Sequence, residues 1–169
     1  DKLFKKEIWE AFFIHKIEQG NISEKDTADL RRFIDGKEYL PVAGRIRINQ
    51  SFSAPQKTLI SKSKAGRKRT VYTFGREENY VLKLISFLLR DYDYLFSPNL
   101  YSFRKESGVK KAAEDVMKIK DLDDRYVYKA DISDYFNSVD VDILLPDLKK
   151  ALSDDSELYL FFETLLRNP

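Results

Sequence analysis

Apolar residues at Leu3, Phe4, Ile8, Trp9, Phe12, Phe13 and Ile17 recur at helical spacing and stop before Gly20, which predicts a helix over Leu3–Glu18. Ser23, followed by acidic residues and closed by Gly36, predicts a second helix. The stretch from Lys37 to Thr58 reads as irregular or extended, because Pro41 and Pro55 interrupt it. KTLI and TVYTF then flank the polar turn SKSKAGRKR, a β-hairpin pattern with Gly66 near its tip. From Arg76 to Phe96 a helix is predicted, with Tyr80, Leu84, Ile85, Leu88 and Leu89 in register. After the turn SPNLYSFRKES comes a shorter helix over Val109–Ile119, capped near Ser107. Tyr126–Ile132 reads as a strand, Asp140–Leu152 as a helix with Pro146 unusually deep inside it, and Asp154–Arg167 as a last apolar helix. No internal repeat interrupts this mostly helical α+β pattern.

Composition narrows the class. The 169 residues, 43% hydrophobic and 34% charged, are ordinary for a globular chain and large enough for one substantial core or one domain and part of another. No apolar run approaches the roughly 20 residues of a membrane span, so no membrane partner is expected. The absence of cysteine excludes disulfides and thiolate metal sites. The chain opens on Asp1 rather than Met and stops directly after an apolar helical pattern, so a fragment of a longer protein is expected.

A net charge of +2 conceals a strong asymmetry. From Tyr39 to Arg76 there is no acidic residue but nine basic ones: Arg45, Arg47, Lys57, Lys62, Lys64, Arg67, Lys68, Arg69 and Arg76. From Asp121 onward, twelve acidic residues face five basic ones. A charge run is usually a solvated face, but one of a single sign repels itself and is offset best by a polyanion.

In YVYKADI, strand alternation places Tyr126, Tyr128, Ala130 and Ile132 on one face and Val127, Lys129 and Asp131 on the other. The first set suits packing on helices. An ionised carboxylate is costly to bury alone, so Asp131 is solvated, hydrogen-bonded or bound to a metal. The strand alone favours the plainer role, in which Asp131 caps the following turn or pairs with Lys129.

The segment that follows, DISDYFNSVDVDILL from Asp131 to Leu145, resembles the first palm motif of reverse transcriptases, and in particular bacterial enzymes of the group II intron type. Upstream, NLYSFRKES resembles the family's aromatic-Gly-Phe-Arg segment, and ISKSKAGRKRTVYTF its basic fingers hairpin. The three motifs stand in family order over roughly Lys57 to Leu145.

The resemblance implies a right-hand polymerase fragment: fingers over residues 1–120, with a hairpin at about 57–74, and an incomplete start of the palm over 121–169. It implies an RNA-directed DNA polymerase, bacterial and cytoplasmic, whose partners are an RNA template, a primer strand, dNTPs and, for a maturase, intron RNA. Mg²⁺ prefers a few carboxylates together with substrate phosphates. By resemblance Asp131 is the catalytic metal ligand and the carbonyl of Ile132 another. Phe136 takes the position of an aromatic gate against the ribose 2′-hydroxyl, which favours deoxynucleotides. Tyr135 is assigned to core packing, Asp134 to a turn and Asp140 to a helix cap. Arg69 and either Lys62 or Lys64 hold the triphosphate, since forked and point-charge donors suit phosphate oxygens. Arg67 and Lys68 touch the template backbone. Arg104 either supports the template or braces the fingers. Lys105, Lys110 and Lys111 are peripheral, and His15 is structural.

The match departs from the family in places. Ser102 stands for a Gly, Lys105 to Ser107 replace Pro-Gly-Arg, and Tyr72 to Phe74 replace Ile-Pro. These changes leave a maturase, a retron enzyme and a phage-defence enzyme all open. The later Tyr-x-Asp-Asp hairpin has no counterpart here, so the two-metal site is only half encoded and this piece alone is expected to be inactive. Two rivals stand beside this reading: a non-catalytic RNA-binding or scaffold module with a fingers-like fold, and an RNA-dependent RNA polymerase.

Overall fold

A computed structural model of the chain describes residues 1–20, 22–49, 52–61, 68–102, 104, 107–133, 135 and 138–167, with the side chain of Arg69 outside the description. The fold is α+β and mostly helical, with one small antiparallel sheet. Its helices are α1 Lys6–Glu18, α2 Glu24–Asp35, α3 Tyr39–Asn49, α4 Arg76–Leu88, α5 Val109–Met117, α6 Val141–Ala151 and α7 Ser156–Arg167. The strands are β1 Gln56–Ser61 and β2 Lys68–Thr73, paired from Gln56↔Thr73 to Ser61↔Lys68. By packing, residues 1–88 with 160–169 form one unit and residues 89–159 another; the boundary at 120 implied by the resemblance coincides with neither break.

In the first unit the core grows from helical stripes. Trp9 is fully buried, stacks on Tyr39 at 5.2 Å and meets Phe33 edge-on at 5.5 Å. Its indole N–H donates to the Leu3 carbonyl at 2.9 Å, so the polar atom of the largest core side chain is satisfied. Leu30, Phe33 and Ile34 from α2 and Tyr80, Val81, Leu84 and Ile85 from α4 complete the core. Burying such side chains stabilises by about 1.5–3 kcal/mol each. Ser23 caps α2 through its hydroxyl, which accepts from the Asp26 N–H at 3.1 Å. At the other end of α1, Gly20 adopts φ +65, a left-handed conformation in which a side chain would be strained.

The expectation of irregular chain over Lys37–Thr58 is corrected by α3. Pro41 falls in its first turn, where the missing N–H has no intrahelical acceptor in any case. Tyr39, Val42, Ala43 and Ile46 form a buried stripe at helical spacing, and that burial outweighs weak local propensity. The helix predicted over Arg76–Phe96 is α-helical only to Leu88 and continues as a 3-10 helix over Leu89–Leu95. α5 starts after Gly108 without a side-chain cap, so the cap expected near Ser107 is not made.

The second unit holds one larger correction. Tyr126–Ile132 is not a strand: no segment among the described residues pairs with it. A strand requires neighbours for its N–H and C=O groups, and the two strands that do form satisfy each other. Tyr126, Val127 and Tyr128 are almost wholly exposed, so the expected packing of the first face on helices is absent. α6 carries Pro146 within it, as read from the sequence, and is capped by Asp140, whose carboxylate accepts from the N–H groups of Asp142 at 2.9 Å and Ile143 at 3.3 Å. Leu145 and Leu152 are its buried anchors. No helix among the described residues is long and apolar enough to cross a membrane.

Candidate nucleic-acid interface

The hairpin expected from KTLI and TVYTF forms, and every side chain of β1 is exposed. Directly paired residues of an antiparallel ladder share a face. Lys57 therefore lies beside Tyr72, and Lys68 beside Ser61, on the same face as Leu59. Leu59, Ile60 and Tyr72 remain largely exposed on this two-stranded arm. Cations beside an exposed aromatic ring and aliphatic side chains suit a stacked base with its phosphate.

The arm is fixed at its base. Phe52, just before β1, lies 5.1 Å from Phe74, just after β2, and 5.3 Å from Phe161. Glu78 on α4 is 4% exposed, yet its carboxylate accepts from the Ser53 N–H at 3.0 Å and from the Ser53 hydroxyl at 2.8 Å. Two donors to one buried carboxylate oxygen offset the cost of its burial.

Charge pairing divides the basic segment. Arg45 pairs with Glu77 at 3.9 Å, Arg47 with Asp1 at 3.5 Å and Arg76 with Asp29 at 3.1 Å, so acids from outside the segment neutralise the helical cations. Lys57 and Lys68, on the arm, form no ion pair among the described residues. The cationic excess is thus concentrated on the arm. Lys62, Lys64 and Arg67 fall outside the described residues, and of Arg69 only the backbone is described, opposite Ile60.

A cleft of about 270 Å³ is lined by Phe33, Glu38, Arg76, Glu77 and Tyr80. Two carboxylates against one guanidinium, itself paired with Asp29, make it a poor place for a triphosphate.

In the second unit Asp131 is solvent-exposed and Ile132 is 64% exposed. With no strand paired to this segment among the described residues, Asp131 does not end a strand on an open face as alternation implied. Among the described residues no group of three His, Cys, Asp or Glu side chains could hold a metal ion. The Asp131 carboxylate and the Ile132 carbonyl are hard oxygen donors of the type Mg²⁺ takes, but two such donors fall short of a site. Phe136 and Asp134 lie outside the described residues, as do Phe103 and Lys105. Tyr135, assigned to core packing, is instead 54% exposed.

Arg104 donates to the carbonyls of Ser97 at 2.9 Å and Asp93 at 3.3 Å, bracing the turn that follows the 3-10 helix. A nearby hub was not read from the sequence. Asp115 accepts from Lys111 at 2.7 Å, Lys118 at 3.2 Å and the Tyr101 hydroxyl at 3.2 Å. Lys111 first, then Lys118, holds its carboxyl down at about 2. The i,i+4 spacing of Lys111 and Asp115 was a signal for one of these contacts. In the first unit His15 lies 5.0 Å from the Phe87 ring, a packing role.

Compared with models of known protein families, with curated proteins and with solved structures, the chain matches none.

Proposed function

We propose that this chain is the fingers and the opening of the palm of an RNA-directed DNA polymerase. The observation that carries the reading is the solvated basic arm, on which Lys57 and Lys68 have no counter-ion among the described residues while Arg45, Arg47 and Arg76 of the same segment are paired. The order of the hairpin, the YSFR segment and DISDYFNSVDVDILL supports it from the sequence side. In this reading Lys57 and Lys68 track the template backbone, with Arg67 beside them. Arg69 and Lys62 or Lys64 hold the dNTP triphosphate, and Phe136 excludes a 2′-hydroxyl. Asp131 and the Ile132 carbonyl supply two oxygens toward Mg²⁺, which when bound activates the attacking hydroxyl and neutralises phosphate charge. No catalytic step is assigned to this segment alone. Arg104 acts as a brace for the fingers.

The test is primer extension on an RNA template by a protein carrying this segment together with a Tyr-x-Asp-Asp hairpin. Deoxynucleotides are expected to be used and ribonucleotides rejected, with Phe136→Ala relaxing that choice. Equal use of both by the unaltered protein refutes the gate, and extension with ribonucleotides alone favours an RNA-dependent RNA polymerase. RNA binding without extension, even with the carboxylate hairpin present, favours the non-catalytic module.

A further inference from the structure

From Tyr126 to Ser133 every residue is exposed and none belongs to a helix or strand. No backbone N–H or C=O group of this segment is hydrogen-bonded among the described residues. Arg125 leads into it in extended backbone, at φ −109 and ψ 145. Tyr126, Val127, Tyr128 and Ile132 are strand-forming residue types, and all four side chains lie in solvent. Chain of this kind, with its backbone groups open, is a template for another strand.

The order of the charges selects the occupant. Set antiparallel to itself about Ala130, the segment pairs Ala130↔Ala130, Lys129↔Asp131, Tyr128↔Ile132 and Val127↔Ser133. The two-fold makes each unlike pair occur twice. One face then carries two Lys–Asp pairs and the other two aromatic–β-branched pairs, both favourable across strands. Centring the pairing on Lys129 or on Asp131 instead opposes two like charges, and so does an in-register parallel pair. A one-residue slip sets each charge against an apolar side chain. Neither Lys129 nor Asp131 has an ion-pair partner among the described residues, so both are available to a second copy.

We propose that two copies of this chain associate through Val127–Ser133, paired as antiparallel strands about a two-fold axis at Ala130. The proposal goes beyond the polymerase reading and does not rest on it. In such an enzyme the dimer engages Asp131, the carboxylate assigned to Mg²⁺, so self-pairing and metal binding compete for it.

Two strands alone are marginal in water, so the test is sedimentation equilibrium of the full chain over a concentration series reaching the millimolar range. Wild type is expected to shift from monomer to dimer. Lys129→Glu and Asp131→Lys each turn two attractive pairs into two repulsive ones, and each is expected to raise the dissociation constant about tenfold or more. An equimolar mixture of these two variants restores both ion pairs and is expected to form a heterodimer near wild-type strength. Melting temperatures of the dilute variants should equal wild type, because the segment is exposed. The register is read separately by cross-linking, since the chain has no cysteine of its own. Ala130→Cys faces its own copy within disulfide reach and should cross-link under mild oxidation much faster than Val127→Cys, which faces Ser133. A monomer at every concentration overturns the proposal and leaves the segment to a different strand. A dimer indifferent to both charge changes, a mixture that fails to restore association, or equal cross-linking at the two positions also overturns it.

Discussion

Replacing Glu78 by Ala isolates what fixes the basic arm to the body of its unit. Glu78 is 4% exposed and accepts two hydrogen bonds from Ser53, at 3.0 and 2.8 Å. Hydrogen bonds to a charged group contribute about 1.5–3 kcal/mol each, so the gross loss is about 3–6 kcal/mol. Two effects reduce it. Ser53 is exposed, so water reaches its freed donors, and removing a buried carboxylate recovers part of its desolvation cost. A net destabilisation of about 2 kcal/mol follows, with about 1 kcal/mol for Glu78→Gln, which keeps a neutral acceptor. Ser53→Ala leaves the backbone donor in place and removes the hydroxyl, and is expected to cost about 1 kcal/mol. Urea denaturation with unchanged slope measures these values, and the double-mutant cycle should return a coupling of about 1 kcal/mol. Hydrogen exchange gives a local readout, because the Ser53 amide should exchange faster in Glu78→Ala than in wild type. Additive single effects, or an unchanged Ser53 exchange rate, would refute the clamp.

Two further predictions concern pH. The Asp115 carboxyl, held at about 2 by Lys111 and Lys118, gives stability that is full above its ordinary value of 3.8 and is lost as pH falls through about 2; a carboxyl titration by NMR should show that midpoint, and Lys111→Gln should raise it, whereas an unshifted midpoint in wild type refutes the hub. The Tyr92 hydroxyl, pushed up to about 12 by burial and by its bond to Asp154, favours the neutral phenol in the fold. Its contribution is full below pH 10 and lost as pH rises through about 12, so ultraviolet titration should find a tyrosine ionising near 12 that Asp154→Asn brings earlier; its absence in wild type refutes the contact.

The helices were legible where a buried stripe and a cap coincide, as in α2 with Ser23 and Leu30, Phe33 and Ile34. α3 shows the limit of reading Pro as an interruption. The same Tyr39, Val42, Ala43 and Ile46 spacing was present in the sequence, and a proline in a first turn leaves it intact. The hairpin was legible because its two strands and turn lie within one short stretch and supply each other's partners. Tyr126–Ile132 has equal strand character, but alternation describes only a side-chain pattern. Whether a strand forms depends on a neighbour that no local pattern reveals. Glu78 was hidden for a related reason: an acid in the first turn of a helix reads as solvated until the chain before the hairpin folds back onto it.

This difference bears on the chemistry. A basic arm binds a polyanion wherever its lysines are solvated and unpaired, since phosphate attraction is long-ranged and tolerant of geometry. A catalytic metal does not share that tolerance, for its carboxylates must be held within a few tenths of an ångström of their places. Lys57 and Lys68 already stand on a hydrogen-bonded ladder anchored by Phe52, Phe74 and Glu78. Asp131 stands on a segment with no pairing partner among the described residues. On the polymerase proposal, nucleic-acid affinity is therefore expected to be a property of this chain's own residues. On the same proposal, Asp131 acquires a fixed position only when a neighbouring strand pairs with Tyr126–Ile132.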